Sequence, residues 1–248
     1  MSHRYFIQLA YNGSNHSGWQ RQENAPSIQE DIEKALSTIL RQSDISILGC
    51  GRTDAGVHAK KFFAHVDMEI PAELDLKYRL NQFLSKEICI QNIIKVDDEA
   101  HTRFDARERT YEYKIHFEKD PFKESDSSMV MFVPDIDKMN EAASKLVGTR
   151  DFTSFAKVDN DAKHHMCDLF FAKWETETNG MTFRISANRF LRNMVRAVVG
   201  TLLEVGNGKR SVEEFEELIG QKNRNLAGTS APAKGLALID IKYPYVLS

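Results

Sequence analysis

Apolar residues recur along this chain in two periods, and the switches between them outline its elements. Arg4 to Tyr11 is rich in β-formers and stops at Asn12-Gly13, which predicts a strand. From Ile28 the period becomes helical. Ile28, Ile32, Leu36, Ile39 and Leu40 form one stripe, and Ser27 with Glu30 is placed as a capping box after Pro26. Asp44 to Cys50 and Lys61 to Asp67 read as strands on either side of a glycine-bearing loop. Leu74 to Leu84 is helical in period, and Glu87 to Val96 is a strand again. The order is βαββαβ.

The second half repeats that order. Thr110 to Phe117 reads as a strand with Tyr111, Tyr113 and Ile115 on one face. Asp137 to Val147 reads as a helix ended by Gly148, and Asp168 to Glu177 and Met181 to Ala187 as a hairpin turned by Asn179-Gly180. Asn188 is placed to cap a long helix running to Val205, stopped by Gly206-Asn207-Gly208. Ser211 and Glu214 cap a shorter helix, and Leu236 to Tyr243 is the final strand. The pattern predicts an α+β fold of two βαββαβ halves, 1–105 and 106–248, with antiparallel-rich mixed sheets and helices packed against them.

Composition changes this picture little. The 248 residues are 42% apolar and 28% charged, with 6 Pro and 13 Gly, which is ordinary globular usage. No apolar run approaches a membrane span, and Met1-Ser2-His3-Arg4-Tyr5 opens no signal peptide. Cys50, Cys89 and Cys167 form no CxxC, so free buried thiols in a reducing cytoplasm are the simplest expectation.

Charge is more informative locally than in sum. The net charge of −3 argues against a polyanion partner. Yet Arg184 to Arg196 holds four arginines and no acid, Ser211 to Ile219 holds four glutamates and no base, and Arg103, Arg107 and Arg109 form a second basic cluster. Such runs read either as solvated faces or as a nucleic-acid site on an acidic protein.

The densest concentration of chemistry is Gly49-Cys50-Gly51-Arg52-Thr53-Asp54-Ala55-Gly56-Val57-His58-Ala59, between two predicted strands. Three glycines in eight residues allow sharp bends and close approach to a ligand, and an Arg two residues before an Asp can steer a carboxylate. The same residues also suit a plain hairpin turn. No GxxxxGK[ST] occurs, and neither His58 with His65 nor His164, His165 and Cys167 has metal-site spacing, so no metal is expected.

That loop resembles the GRTDAGVHA signature of the TruA family of tRNA pseudouridine synthases. Further blocks follow in the family's order. They are Leu9-Ala-Tyr11-Asn-Gly13 with Gly18-Trp19-Gln20-Arg-Gln22, then Leu80-Asn81, and Phe104-Asp-Ala106 with Arg109-Thr-Tyr111-Glu-Tyr113. After them come Asp151-Phe152-Thr-Ser154-Phe155, Phe190-Leu-Arg-Asn-Met194-Val-Arg196 with Val199-Gly200, and Ala231-Pro232-Ala-Lys-Gly235-Leu-Ala-Leu238. On these blocks the chain is identified as a member of the family. It departs from the pattern at Asn12, His16, Ser85, Arg150 and Ala156, none of them in the catalytic set.

The resemblance implies the pseudouridine synthase fold with a catalytic cleft between the halves. It also implies isomerisation of uridine to pseudouridine in the tRNA anticodon arm (positions 38–40 in the family), a homodimer, and no cofactor. Asp54 takes the place of the nucleophile, Arg196 of its partner, and Tyr111 of the residue that stacks on the flipped base. Arg52 corresponds to a residue that fills the vacated space and Leu238 to the apolar wall of the uracil pocket. Arg103, Arg107, Arg109, Arg189 and Arg192 are expected on RNA, the last two sharing a helix face with Arg196. Trp19 and Phe190 read as core. The rival readings are a family member acting on another RNA, a catalytically silent RNA binder, and an Asp-dependent hydrolase, which lacks a second carboxylate at motif spacing.

Overall fold

A computed structural model describes residues 2–158 and 163–245. The chain forms two compact units, Met1–Arg107 with Leu238–Ser248, and Glu108–Ala237. The final strand, expected to close the second half, therefore belongs from Leu238 onward to the first unit.

In the first unit the elements are β1 (His3–Tyr11), α1 (Ile28–Leu40), β2 (Leu48–Gly49), β3 (His58–Met68), α2 (Leu76–Phe83) and β4 (Ile88–Lys95). β1 is the central partner, antiparallel to β3 on one side and to β4 on the other. Phe6, Ile7, Leu9, Phe62, Ile32, Leu36, Leu80 and Ile90 are fully buried, so the predicted stripes do form the core. Ser27 Oγ accepts from Glu30 N at 3.3 Å, but the Glu30 carboxylate lies toward Arg21 instead of completing the box.

The strand expected over Asp44 to Cys50 shrinks to two residues. Asp44 adopts φ 62, which interrupts an extended chain. The backbone of Ile47 then bonds to side chains of α1: its N–H donates to Glu33 Oε1 at 3.0 Å and its carbonyl accepts from Gln29 Nε2 at 3.1 Å. Two buried polar side chains thus stand where a ladder was expected. Cys89 also departs from expectation: it points outward from β4 between buried Ile88 and Ile90, while Cys50 and Cys167 are buried.

The second unit contains β5 (Glu108–His116), β6 (Ser128–Met129), α3 (Ile136–Ser144), β7 (Gly148–Asp151), β8 (Met166–Glu177), β9 (Gly180–Ala187), α4 (Met194–Gly206) and α5 (Val212–Gln221). The strand order β5-β9-β8-β7 is antiparallel throughout, and β6 adds a short parallel pair to β5. Trp174, Phe183, Phe152, Phe155 and Phe215 fill the interior. Ser211 and Glu214 make the reciprocal capping box the sequence predicts. β10 (Leu236–Lys242) closes the chain and lies beside β3 in the first unit.

Three boundaries differ from the sequence reading. α3 stops at Ser144, and Gly148, at φ 99, opens the edge strand β7 instead of capping a helix. The β8–β9 turn lies one residue earlier than expected, with Asn179 at φ 55 and Gly180 already paired with Glu177. Most consequentially, α4 begins six residues after Asn188. Asn188 pairs with Asp168 through both its backbone N–H and its side-chain carbonyl, so it extends the sheet contact and caps nothing. Residue 193, Asn193 at φ 63, stands at the helix start.

β3 carries a titratable group whose charge the fold excludes. Burial, with the nearby His101 and Arg4 adding to it, lowers the His65 imidazole to about 4. The unfolded chain takes up a proton near pH 6.5 that the folded one refuses. His65 therefore lets stability stand in full above pH 6.5 and drains it as pH falls toward 4. Urea unfolding at pH 7.5 and pH 5 should show wild type losing about 2 kcal/mol more than His65→Gln over that interval. Equal losses in the two proteins would mean that His65 is not held neutral.

Candidate active site

The Asp54 turn rests on the connection between β1 and α1. Gly18, at φ 100, lies under it so closely that a Cβ there would sit 2.3 Å from the Thr53 carbonyl oxygen. Gly13 lies equally close to Val57, where a Cβ would meet the carbonyl oxygen at 2.1 Å. Across these contacts run hydrogen bonds from Trp19 N to Thr53 O (3.3 Å), from Gly56 N to His16 O (3.2 Å) and from Gly13 N to His58 Nδ1 (3.1 Å). The Tyr11 hydroxyl meets Thr53 Oγ1 at 2.9 Å, and Val57 N donates to Asp54 O at 3.1 Å to close the turn. Beneath, Trp19 stacks on Phe62 with centroids 4.2 Å apart, and it is core as the sequence reading had it.

Asp54 is thereby held half-buried between buried Thr53 and exposed Ala55, with Arg52 exposed two residues earlier. Its main chain is fixed on both sides, so the carboxylate has little freedom beyond its own rotamers. Leu238, on β10 of the same unit, is buried at 2% exposure. Arg103 and Arg107 are exposed in the segment after β4. A polar cavity of about 680 Å³ also opens in this unit, lined by Gln20, Arg21, Gln29 and Glu33 among others, but Asp54 is not among its lining residues.

In the second unit, Tyr111 is half-buried on β5, opposite Ile185 of β9. The ring of Phe190 meets it edge to face, centroids 5.1 Å apart at 87°. Phe190 is half-buried, which corrects its reading as core. Tyr113, two residues along, is fully buried, with its hydroxyl 2.9 Å from both Ser128 Oγ and the Pro232 carbonyl, and burial pushes it up to about 12. Tyr113 is a packing residue. Tyr111 is the more accessible member of the pair.

Arg196 lies in the first turns of α4. Its Nε–H donates to the Ala231 carbonyl at 2.7 Å, and Ala231 N donates back to the Arg196 carbonyl at 2.9 Å. The 228–231 segment is pressed onto α4 at Gly200, where a Cβ would meet Thr229 O at 1.8 Å. Arg189 and Arg192 stand in the irregular segment before α4, so they share no helix face with Arg196. Arg189 Nη1 lies 3.4 Å from His164 Nε2, and Arg109 Nη1 donates to the Asn188 carbonyl at 2.7 Å. Among the described residues no three His, Cys, Asp or Glu side chains gather as a metal site, and His58 Nδ1 is engaged by Gly13 N.

Comparison with known proteins decides the family. The sequence model of the tRNA pseudouridine synthase family matches residues 142–244. The chain is 48% identical over 246 residues to tRNA pseudouridine synthase A of Porphyromonas gingivalis, covering 97% of each chain. It is 48% identical over 244 residues to the enzyme of the same name from Bacteroides fragilis, covering 97% of this chain and 96% of that one.

The chain belongs to the tRNA pseudouridine synthase A family.

Within this family member the sequence blocks acquire physical reasons. The segment from Leu9 to Gln22 is the support of the Asp54 turn, which its residue types alone did not reveal. Glycines at positions 13 and 18 were the available signal, because each permits a backbone approach that any side chain blocks. Phe190 was missed as a neighbour of Tyr111 because a lone aromatic after a strand reads as core.

Gly18→Ala tests the support directly. The added methyl cannot share space with the Thr53 carbonyl, and φ 100 is strained for alanine. The variant should stay folded but lose about 1–3 kcal/mol of stability. Its single-turnover rate should fall about 10²-fold through displacement of Asp54, with tRNA affinity held. An unchanged rate at saturating enzyme would show that the turn tolerates the shift.

Proposed function

We propose that this chain isomerises uridine to pseudouridine in the anticodon arm of tRNA, with Asp54 as the nucleophile. Membership in the tRNA pseudouridine synthase A family supports the reaction. The observation that carries the residue assignment is the Asp54 turn itself, a half-buried carboxylate on a glycine-clamped support inside the GRTDAGVHA sequence.

The reaction breaks the N1–C1′ glycosidic bond, turns the uracil and joins C1′ to C5. The proton lost from C5 balances the one gained at N1, so atoms and electrons balance without a co-reactant. The target base leaves its stack to be reached. In this reading the Asp54 carboxylate attacks and later departs, while Arg196 pairs with it and keeps it oriented. Tyr111 stacks on the base, and its hydroxyl takes the C5 proton. Arg52 fills the space the base vacates, and Leu238 forms part of the apolar wall. Phosphates fall to Arg103, Arg107, Arg109, Arg189 and Arg192. A homodimer working on tRNA in the cytoplasm completes the proposal. No helix among the described residues is long and apolar enough to cross a membrane.

Asp54→Asn preserves shape and removes nucleophilicity. It should abolish pseudouridine formation in single-turnover assays on unmodified tRNA while leaving Kd and thermal stability near wild type. Substantial residual turnover would remove Asp54 from the chemical step. Arg196 and Arg192 should separate in the same assays. Arg196→Ala should slow the reaction at saturating enzyme. Arg192→Ala should instead weaken binding and flatten its salt dependence by about one charge. If Arg196→Ala reacts at full speed and only binds more weakly, Arg196 belongs with the phosphate contacts.

A further inference from the structure

One exposed aromatic ring in the first unit is held with more care than a surface residue needs. Phe104 is 75% exposed at the tip of the turn 101–105. The turn is closed by His101 N to Asp105 Oδ2 at 2.7 Å and by Asp105 N to His101 O at 3.1 Å. His101 Nδ1 accepts from Arg103 N at 3.1 Å and from Phe104 N at 3.3 Å. Those contacts require an unprotonated Nδ1, and burial lowers the imidazole from its ordinary value.

The turn is also anchored from below. Thr102, fully buried, donates through Oγ1 to the Leu48 carbonyl at 2.9 Å, and Tyr243 Oη donates to the Thr102 carbonyl at 2.7 Å. Tyr245 Oη donates to Asp105 Oδ2 at 3.0 Å, so the one carboxylate of the turn is engaged by both His101 N and Tyr245. The ring that results lies 4.2 Å from the His101 ring at 34°, with the Arg103 guanidinium 5.8 Å from its centroid. Arg107, also exposed, follows three residues later.

Scattered surface phenylalanines are common and need no explanation. This one is different in being preorganised: its main chain is fixed, an imidazole backs it, and the Arg103 guanidinium lies over it, with exposed Arg107 three residues on. A rigid apolar ring next to a guanidinium group matches the two surfaces of an unpaired nucleotide, a π face and a phosphate. We propose that Phe104 is a stacking platform for an unpaired base of the RNA substrate, with Arg103 and Arg107 taking the adjacent phosphates. The proposal rests on the reading that the substrate is RNA, and it adds a contact to a base other than the uridine being isomerised.

The test uses the full-length protein and an anticodon stem-loop RNA carrying 2-aminopurine at successive loop positions. Wild type should quench the probe at one position, and Phe104→Ala should restore its fluorescence. Phe104→Ala and Phe104→Leu should raise Kd by about ten- to a hundredfold, the worth of one stacked base, whereas Phe104→Trp should hold it. Arg103→Ala should lower the salt slope by about one charge. Full affinity in Phe104→Leu would overturn the platform, because leucine keeps apolar area but has no face to stack. So would a weaker self-association in sedimentation with unchanged RNA affinity, which would make the ring a contact between copies. Pseudouridine formation by wild type separates the two levels. If wild type modifies no tRNA, the functional reading fails; if it does and Phe104→Ala binds and quenches as wild type, the platform alone fails.

Discussion

The close approach of two backbones, possible only where a glycine stands, is the constraint on which both units depend. In the first unit Gly18 admits the Thr53 carbonyl and Gly13 admits Val57, so the segment before α1 becomes the floor of the Asp54 turn. In the second, Gly200 admits Thr229, and the 228–231 segment then lies close enough to α4 for Arg196 to exchange hydrogen bonds with Ala231. The same device serves a carboxylate and a guanidinium. In each case a loop gains the rigidity of the element it rests on, which a loop bonded only to itself lacks.

Periodicity made the regular elements legible and left the functional segments obscure, for one reason. α1 and α5 each bury one face over at least two turns, β4 alternates buried Ile88 and Ile90 around exposed Cys89, and β9 is buried along almost its whole length. Such repetitions and apolar runs are what a sequence pattern records. The segment 188–193 has no such repetition. Its arginines at 189 and 192 have helical spacing with Arg196 of α4, but Asn188 is bonded to Asp168 and Asn193 turns left-handed, so tertiary contacts override the local pattern. The Asp44–Ile47 stretch fails likewise, its ladder bonds replaced by Glu33 and Gln29. The Asp54 loop stands out in the sequence because its residue types resemble a known signature. Its support does not, because glycine 18 announces freedom of the backbone without saying what approaches it.

Charge shows how much a sequence run can mislead. The four arginines from 184 to 196 read as one basic stretch, yet they serve different ends. Arg184 is bound between Glu175 and Glu112 on the sheet, and Arg196 is fixed to the 231 carbonyl. Elsewhere Arg4 pairs with Asp67 and Arg210 with Glu204, so part of the positive charge is neutralised within the fold. In the acidic α5 run, Glu216 pairs with Lys145. A net charge of −3 is therefore compatible with a polyanion ligand, because what a ligand meets is the local arrangement and not the sum.

The two-residue strand β2 shows how little regular structure a site needs when its neighbours are chosen well. Gly49 faces Trp19, where a Cβ would lie 2.5 Å from the indole nitrogen, and the next residue, Cys50, donates to the Phe63 carbonyl at 2.8 Å. The carbonyl of Leu48 receives the Thr102 hydroxyl that anchors the Phe104 turn. One short extended piece therefore fixes two exposed features in the same unit: the loop that leads to Asp54, and the aromatic tip four residues after Ala100. β2 is short because Asp44 stands at φ 62 and the Ile47 backbone turns to Glu33 and Gln29, and these side-chain bonds, with that of Thr102, supply the order that the missing ladder would otherwise give.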